Sequence, residues 1–384
     1  MTLNILSILL LSLLELMGFE QQVTIVFVGD AMQHTPQTRA ARQADGSLDY
    51  SQCFTHVQND IRLADYAVAN LECPLGGKPY SGYPCFSAPD EWARQLKATG
   101  FDLLLTANNH CLDRRDAGLR RTIAALDSMG IPHIGTYTSR EQREAQLPFI
   151  VDIKGIKVAM LCYTYSTNGI PVQGNAVVDL IDRQVIGNDI DKARQQGATL
   201  VCVNLHWGEE YHSLPSQAQT DLADWLVQEK GVDLVIGGHP HVIQPMEMRH
   251  SKSSGKDAIV VYSLGNFISN QVDTDSRGGA MVIVTLGLSL GKVTSIKAEY
   301  KLFFCQKPSR PGEVHQLIPS HRQDLVRPDS RAAFGMFMRN ARYILNKHNI
   351  GVCEADTLTP ADRPFVPYPF PALDNDDDLQ DWAM

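Results

Sequence analysis

Side chains of the kind that bind divalent metals follow five strand-like runs of this sequence. Carboxylates, amide oxygens and imidazoles together suit borderline or hard ions such as Mn, Fe or Zn, whereas structural zinc sites are dominated by thiolates. The residues at the ends of the runs are, in chain order, Asp30, Asn70, Glu72, Asn108, Asn109, His110, His206, Glu210, His239 and His241. Because α/β sheets bind ligands at the C-terminal ends of their strands, the sequence predicts a metal or phosphate site there.

Each of these residues has a simpler interpretation when it is taken alone. A single histidine at a strand end is usually a hydrogen-bonded structural residue, and Gly29-Asp30 or Asn108-Asn109-His110 could form turns. The metal interpretation depends on five strand ends in succession that each carry a suitable side chain. It depends further on His239 and His241, which stand one residue apart behind two glycines.

The elements that must position these residues alternate between strand-like and helix-like patterns, which is typical of an α/β domain. The buried-strand runs are 23–29, 66–70, 101–107, 199–205 and 233–238. Helical patterns at 91–100, 116–130 and 215–231 each end in a glycine, as expected just past a helix C-terminus. The β-rich runs that follow predict antiparallel strands of a second sheet, and 326–351 predicts a helix.

Composition and charge exclude several classes of protein. With 384 residues, 44% hydrophobic and 20% charged, the chain can bury a sizeable core, which excludes disordered, collagen-like, coiled-coil and multi-span membrane proteins. The 43 acidic residues outnumber the 34 Lys and Arg, for a net charge of −9. We therefore expect no nucleic-acid partner, and an anionic ligand must meet a local cation such as a metal.

The two ends of the chain differ in composition from the predicted domain at 23–350. Residues 1–22 contain a ten-residue apolar run from Ile5 to Leu14, which has the length of a signal-peptide core and is too short to span a bilayer. This segment predicts an exported, extracytoplasmic protein of the cell envelope or periplasm. The alternatives are an apolar helix docked on a cytoplasmic domain or an incorrectly chosen start codon. Residues 351–384 are Pro-rich and then acidic, and predict an extended tail.

Eight cysteines are too few for a disulfide-built scaffold in a chain of this length. Cys73 and Cys85 flank a Gly/Pro-rich loop and could form a disulfide in an oxidising compartment. The same loop, 73–89, contains Gly, Pro, Tyr and Lys78, a composition that functional loops often have.

Six motifs in order along the chain resemble those of a known family. They are Gly29-Asp30-x-Met32, Asn70-Leu71-Glu72-x-Pro74-Leu75, Ala107-Asn108-Asn109-His110-x-x-Asp113, His206-Trp207-Gly208-x-Glu210-Tyr211, Gly238-His239-Pro240-His241-Val242-x-Gln244-Pro245 and Tyr262-Ser263-Leu264-Gly265-Asn266-Phe267. From Val23 to about Phe267 the chain resembles the CapA family of poly-γ-glutamate capsule synthesis proteins, whose fold is similar to the calcineurin-like metallophosphoesterases.

The resemblance implies a fold, a ligand set and a type of partner. The fold would be a four-layer α/β/β/α sandwich with the site along one edge of its two sheets. The implied ligands of one or two divalent ions are Asp30, Glu72, Asn109, His206, His239 and His241. His110 would protonate the leaving oxygen. Asn70, Asn108, Glu210 and Arg115 would support the ligands or contact the substrate. The implied partners are an anionic polymer or a phosphorylated small molecule, other capsule-synthesis proteins and a membrane surface.

Three positions, Met32, Glu72 and Arg115, depart from the patterns that the resemblance implies, and Glu72 stands where phosphoesterases usually have Asp. Phosphoesterases usually open with Asp-x-His, whereas Met32 offers a thioether that hard ions bind poorly, so one metal site is short of a ligand. His34 could compensate or could be a solvated loop residue. Arg115 replaces an expected glycine, where it could strain the loop, place a cation at the mouth of the site, or simply be exposed.

Two principal functions fit these observations. The first is a divalent-metal hydrolase, similar to a phosphoesterase, that acts during synthesis of an envelope polymer. The second is a component of capsule assembly or export that keeps the fold without turnover; the absent Asp-x-His favours it, whereas His110 and Gly-His-Pro-His favour the enzyme. A third function, an intracellular phosphodiesterase unrelated to capsule, fits only if residues 1–22 are not an export signal.

Overall fold

A computed structural model describes residues 21–355 of the protein, and its backbone is built from two main sheets. The strands in chain order are β1 Gln21–Ala31, β2 Tyr66–Leu71, β3 Leu103–Leu105, β4 His133–Ile134, β5 Thr136–Tyr137, β6 Phe149–Ile153, β7 Ile156–Thr164, β8 Val177–Val178, β9 Leu200–His206, β10 Leu234–Gly238, β11 Met246–His250, β12 Asp257–Val261, β13 Asn266–Ile268, β14 Gly278–Ser289, β15 Lys292–Gln306, β16 Gln316–Pro319 and β17 Cys353–Glu354. The α-helices are α1 Thr35–Ala41, α2 Gln58–Arg62, α3 Asp90–Thr99, α4 Arg115–Ser128, α5 Arg140–Gln146, α6 Arg183–Gln195, α7 Gln217–Asp224 and α8 Arg331–His348.

The first sheet has the order β16-β15-β14-β1-β2-β3-β4, with β13 beside β1 and β17 beside β15. In it, β1, β2, β3 and β4 are parallel, while β14 lies antiparallel to the other side of β1. The second sheet has the order β11-β12-β10-β9-β7-β6. Its four central strands are parallel, and its two edge strands are antiparallel to their neighbours. Strands β5 and β8 form a separate pair.

The core lies between the two sheets and on the outer face of each. Val23, Ile25 and Phe27 alternate along β1 and share one buried cluster with Val158 and Met160 of β7, so the sheets pack face to face. Helices α2, α3 and α4 cover the outer face of the first sheet, and α6 and α7 cover that of the second. The expected four-layer α/β/β/α sandwich is confirmed.

The expected division of strands between the sheets was wrong in one respect. The β-rich segment after residue 256 does not form a sheet of its own, because β12 joins the second sheet whereas β14 and β15 extend the first. The two sides of β1 accept different partners, since β2 pairs with it in parallel and β14 pairs with it over 21–27 in antiparallel register. The predicted helix at 215–231 is also divided, because a π-helical turn at Trp225–Glu229 follows α7.

The suggested disulfide between Cys73 and Cys85 does not form. All eight cysteines, which lie within the described residues, are free. Cys73 is buried with its Sγ near the Ala31 carbonyl, whereas the exposed Cys85 points its Sγ at the Asp113 carbonyl, 2.9 Å away. The two thiols therefore contact different parts of the fold, and a disulfide would require the backbone to move.

The predicted signal segment and tail lie almost wholly outside the described residues. Gln21 and Gln22 are the first two residues of β1, and β17 pairs with β15 just before residue 355. Between residues 21 and 355, no helix has both the length and the apolar character needed to cross a membrane.

Candidate metal centre

The candidate centre lies where the C-terminal ends of strands from both sheets meet. Asp30 is on β1 beside β2, after which Glu72 follows, and both belong to the first sheet. His206 ends β9 in register with Gly238, which ends β10 and precedes His239 and His241 in the second sheet. The His239 backbone N–H donates to Asp30 Oδ2 at 3.1 Å, which joins the two sheets at the site.

Three overlapping groups of side chains place one candidate ligand atom each within 4.8 Å of one another. The groups are Asp30, Glu72 and His241; Glu72, His206 and His239; and Glu210, His239 and His241. Glu72 belongs to two of them, so its carboxylate could bridge two ions. All of these residues except Glu210 are buried.

The polar atoms of the centre that lack partners fit a bound cation. Neither oxygen of Glu72 has a hydrogen-bond partner within residues 21–355, and the same holds for His239 Nδ1. The nearest imidazole nitrogens to Glu72 Oε1 are those of His206 at 3.5 Å and His241 at 3.7 Å, too far for hydrogen bonds. Because a buried carboxylate without a partner is costly, and carboxylates and imidazoles suit divalent ions, the donor set fits such an ion.

Burial and neighbouring charges shift the pKa values of the buried ligand candidates in both directions. Burial, together with the charge of Asp30, raises the pKa of Glu72 well above its usual value. Burial would also raise the pKa of Asp30, but the hydrogen bond from His241 and the charges of His206 and His241 lower it overall. Burial lowers the pKa of His206 to about 3, so its imidazole is neutral, as a metal ligand must be. For His241 the charges of Glu72 and Asp30 outweigh burial and raise the pKa to about 9.

The predicted asparagines lie against the ligands. Asn109 Oδ1 is 2.9 Å from His206 Nε2, within hydrogen-bond distance. Asn70 Nδ2 donates to Asp30 Oδ1 at 2.7 Å. Asn108 bonds to the backbone: its Nδ2 donates to the Leu71 carbonyl, and its Oδ1 accepts from the His110 backbone N–H. Asn109 and Asn70 thus each contact a candidate ligand, whereas Asn108 contacts the backbone of Leu71 and His110.

His110 is a buried imidazole held by a carboxylate. Its Nδ1 is 2.8 Å from Asp113 Oδ2, which also accepts from the Phe86 backbone N–H. Burial lowers the pKa of His110, but its hydrogen bond to Asp113 and the charge of Glu72 raise that pKa above its usual value overall. A histidine held in this way is stabilised in its protonated form and can donate that proton to a leaving oxygen.

Met32 points away from the candidate ligands. Its side chain is 2% exposed and belongs to the buried cluster on the outer face of the first sheet. The thioether fills space in that core, as methionine commonly does. The first motif therefore supplies Asp30 alone to the centre.

His34 is neither solvated nor a member of the three ligand groups. Its Nδ1 accepts a hydrogen bond from the Asn270 backbone N–H at 3.3 Å, and its ring packs edge-on against Phe86. Burial lowers the pKa of His34 to about 4. The expectation of a solvated loop residue was wrong, and within the described chain His34 does not take the place of the missing ligand.

Glu210 was predicted to orient a ligand imidazole, and Arg115 to strain its loop, place a cation at the mouth of the site, or be exposed. Glu210 instead belongs to a ligand group, while the described bonds of the ligand imidazoles go to Asn70, Asn109, Asn266 and Asp30. Arg115 is exposed at the start of α4 with φ of 58°, in the left-handed region that favours glycine. This backbone conformation explains the glycine expected there, and no hydrogen bond of the Arg115 guanidinium occurs within residues 21–355.

Two residues of the centre were missed by the sequence interpretation. Tyr165 follows β7, is 44% exposed, and has its ring centroid 4.4 Å from that of His239. The sequence signal for Tyr165 is the apolar, strand-like run 158–163 just before it. Asn266 Oδ1 lies 3.1 Å from His241 Nδ1 and orients that ring, although Asn266 was noted only as part of a motif.

Comparison with known protein families identifies relatives of this chain. The family described as "Bacterial capsule synthesis protein PGA_cap" matches residues 24–271. The capsule biosynthesis protein CapA of Bacillus anthracis is 29% identical over 273 residues, which cover 68% of this chain and 63% of that protein. The PGA biosynthesis protein CapA of Bacillus subtilis is 28% identical over 262 residues, which cover 67% of this chain and 66% of that protein. The matches thus span slightly less than two thirds of either relative.

Solved structures with partial similarity include two enzymes. The NAD nucleotidase of Haemophilus influenzae matches 88% of this chain and 58% of its own, with 12% identity and a TM-score of 0.49. The calcineurin-like phosphoesterase YfkN of Bacillus subtilis matches 85% of this chain and 99% of its own, with 14% identity and a TM-score of 0.45.

Proposed function

Since the chain belongs to the bacterial capsule synthesis protein family PGA_cap, we propose that it acts in biosynthesis of a capsule polymer as a divalent-metal hydrolase of phosphoesterase type. The observation that carries the metal centre is Glu72, a buried carboxylate without hydrogen-bond partners that is surrounded by Asp30 and three imidazoles. This arrangement would hold one or two ions of Mn, Fe or Zn.

The protein groups would have distinct tasks. Asp30, Glu72 and His241 would hold one ion, and Glu72, His206, His239 and Asn109 a second. When bound, such ions polarise a phosphoryl oxygen and lower the pKa of the attacking water. His110 would deliver its proton to the leaving oxygen, while Asp113 fixes its ring and keeps it protonated.

The proposed substrate is an anionic polymer or a phosphorylated small molecule. With a net charge of −9 the whole molecule repels polyanions, so the attraction must come from the metal centre. Family membership supports association with the cell envelope, with other capsule-synthesis proteins and a membrane surface as proposed partners. Export to the outside of the cytoplasm is part of the same proposal, and nucleic acid is not a proposed partner.

A second candidate function is assembly or export of the polymer without turnover. The position of Met32 favours it, because this residue lies in the core and leaves the Asp30 side of the centre with fewer ligands than a two-metal hydrolase uses. The two candidates differ in whether the metal-loaded protein hydrolyses a phosphoester.

Metal content and hydrolysis test the proposal together. The protein loaded with Mn²⁺, Fe²⁺ or Zn²⁺ should retain at least one ion per chain by elemental analysis and should hydrolyse a generic phosphodiester. His239→Ala and His241→Ala should lower metal occupancy and activity, because each removes a buried imidazole from two of the ligand groups. His250→Ala is the matched control, since this exposed histidine pairs with Asp257 away from the centre.

The outcomes separate the two functions. A parent protein without metal above background would contradict the metal centre. A parent that retains metal but hydrolyses no phosphoester would support polymer handling without turnover.

A further inference from the structure

We propose that Glu210 is a metal ligand that approaches the centre from the solvent side and supplies the coordination that Met32 cannot. This inference rests on the proposed metal centre and assigns one of its ligands. It differs from a supporting role, in which Glu210 would contact only the ring of a ligand histidine.

The first argument is position. A carboxylate oxygen of Glu210 and one ring nitrogen each of His239 and His241 lie within 4.8 Å of one another. This spacing suits ligands that surround one ion. His241 also belongs to the group with Asp30 and Glu72, and Glu210 is the one exposed member of the three groups.

The second argument is that the backbone on both sides of Glu210 is fixed to the segment that carries the two histidines. Before Glu210, the Trp207 backbone N–H donates to the Gly238 carbonyl at 3.1 Å. After it, the Tyr211 backbone N–H donates to the carbonyl of Pro240, which lies between the histidines, at 2.8 Å. The loop is therefore held in register with both imidazoles, and little ordering is required to place the carboxylate.

The third argument is the lack of any other partner for this carboxylate. Within residues 21–355, no hydrogen bond or ion pair involves the Glu210 side chain. Its neighbour Glu209 is equally exposed but faces His212, with its Oε2 3.8 Å from His212 Nε2. Two adjacent glutamates thus differ in direction, and Glu210 is the one that faces the centre.

The fourth argument is the number of ligands. The group around Asp30 has three protein ligands, Asp30, Glu72 and His241, and Glu72 is shared with the second group. The ions that suit such donors take four to six ligands. Because Met32 is buried in the outer core, a carboxylate from another loop is the available protein replacement.

A cysteine at position 210 tests direct coordination. Cobalt bound by a thiolate absorbs through a sulfur-to-cobalt charge-transfer transition, which a group outside the coordination sphere cannot produce. Co²⁺ added to Glu210→Cys should give this band above the parent spectrum, and Co²⁺ added to Glu209→Cys should not. The parent spectrum corrects for the eight native cysteines.

Affinity gives an independent readout. Glu210→Gln should weaken Mn²⁺ binding by calorimetry at least as much as the roughly 10-fold loss that follows removal of an outer-shell partner. Glu209→Gln removes the same charge from the neighbouring position and should leave the affinity within about twofold of the parent, because exposed charges are screened.

Two results would overturn this inference alone. One is a Co²⁺-loaded Glu210→Cys protein without the charge-transfer band, and the other is equal Mn²⁺ affinity for the two glutamine variants. A parent protein that binds no metal would overturn the metal centre as a whole, so failure of the proposed function is recognised separately.

Discussion

At the scale of single residues, Asn270 contacts three nitrogen-containing side chains. Asn270 donates its backbone N–H to His34 Nδ1, its Oδ1 lies 2.9 Å from His315 Nε2, and its carbonyl accepts from Lys307 Nζ. Burial, then the charges of Lys307, His34 and Arg277, lower the pKa of His315 to about 3. His315 is therefore neutral in the folded protein at pH 7.

His315 should make the protein sensitive to acid. Its pKa is lower in the folded than in the unfolded chain, so its contribution to stability is present above about pH 6.5 and is lost as the pH falls toward 3. The cost is about 2 kcal/mol at pH 5. His315→Gln keeps a donor for Asn270 and does not titrate, so its free energy of unfolding should fall less than that of the parent between pH 7 and pH 5.

Chemical denaturation of the metal-free protein at the two pH values measures this difference. His250→Gln, at an exposed site, is the control and should follow the parent. If the free energy of unfolding of the parent and of His315→Gln changed equally with pH, the lowered pKa of His315 would be contradicted.

At the scale of elements, the end of β10 touches β1 through a glycine. A Cβ added to Gly238 would lie 2.7 Å from Asp30 Oδ1, closer than real Cβ contacts. The same strand end precedes His239, whose backbone N–H binds the other oxygen of Asp30. The close approach of the two strands therefore sets the position of the carboxylate.

Gly238→Ala should weaken both metal binding and the fold. The added methyl group must push the Asp30 carboxylate aside, and we expect a destabilisation of about 1–3 kcal/mol with an affinity loss of roughly tenfold or more. Calorimetric titration with Mn²⁺ and a thermal melt measure the two effects. Gly335→Ala in α8 is the control. The added methyl group would meet only Arg339 Nη1 at 3.6 Å, an ordinary contact, and alanine favours helices. Unchanged Mn²⁺ affinity in Gly238→Ala would contradict the prediction, because it would show that metal binding does not depend on this position of Asp30.

At the scale of the whole molecule, the candidate ligands come from both sheets. Asp30 and Glu72 belong to the first sheet and His206, His239 and His241 to the second, so a bound ion would cross-link the sandwich at one edge. Anything that binds only the folded state stabilises it by mass action.

Metal should therefore raise the melting temperature. At a free concentration 100 times its Kd, an ion adds about 2.7 kcal/mol, which corresponds to roughly 4 °C for a fold of this size. Calorimetric melts of the chelated and Mn²⁺-loaded parent measure the shift. Glu72→Gln should lose most of it, because Glu72 belongs to both buried ligand groups. In the metal-free state this variant should melt no lower than the parent, since it removes a buried carboxylate without partners. A full metal shift in Glu72→Gln would contradict its place in the centre.

Much of the fold was predictable because it depends on local pattern. Continuous apolar runs gave the five strands that end at the centre, and each lies within two residues of its predicted start. Glycines past the helix ends marked α3 and α4 correctly, since glycine adopts the conformation that stops a helix. The types of the candidate ligands also follow from the sequence, because a side chain's donor atoms do not depend on its neighbours.

The tertiary structure alone decided which of these groups meet. Met32 and Asp30 are two residues apart, a spacing that would place both on one side of a regular strand. Met32 nevertheless joins the outer core and Asp30 the centre, because β1 ends at Ala31 and its register with β13 shifts between Asp30 and Ala31. The pairing of β14 with β1, the separation of Cys73 from Cys85, and the approach of Glu210 to His239 and His241 all depend on contacts between distant segments. Such contacts form when whole sheets pack together. Their energy depends on residues far apart in the chain, so a short stretch of sequence does not predict them.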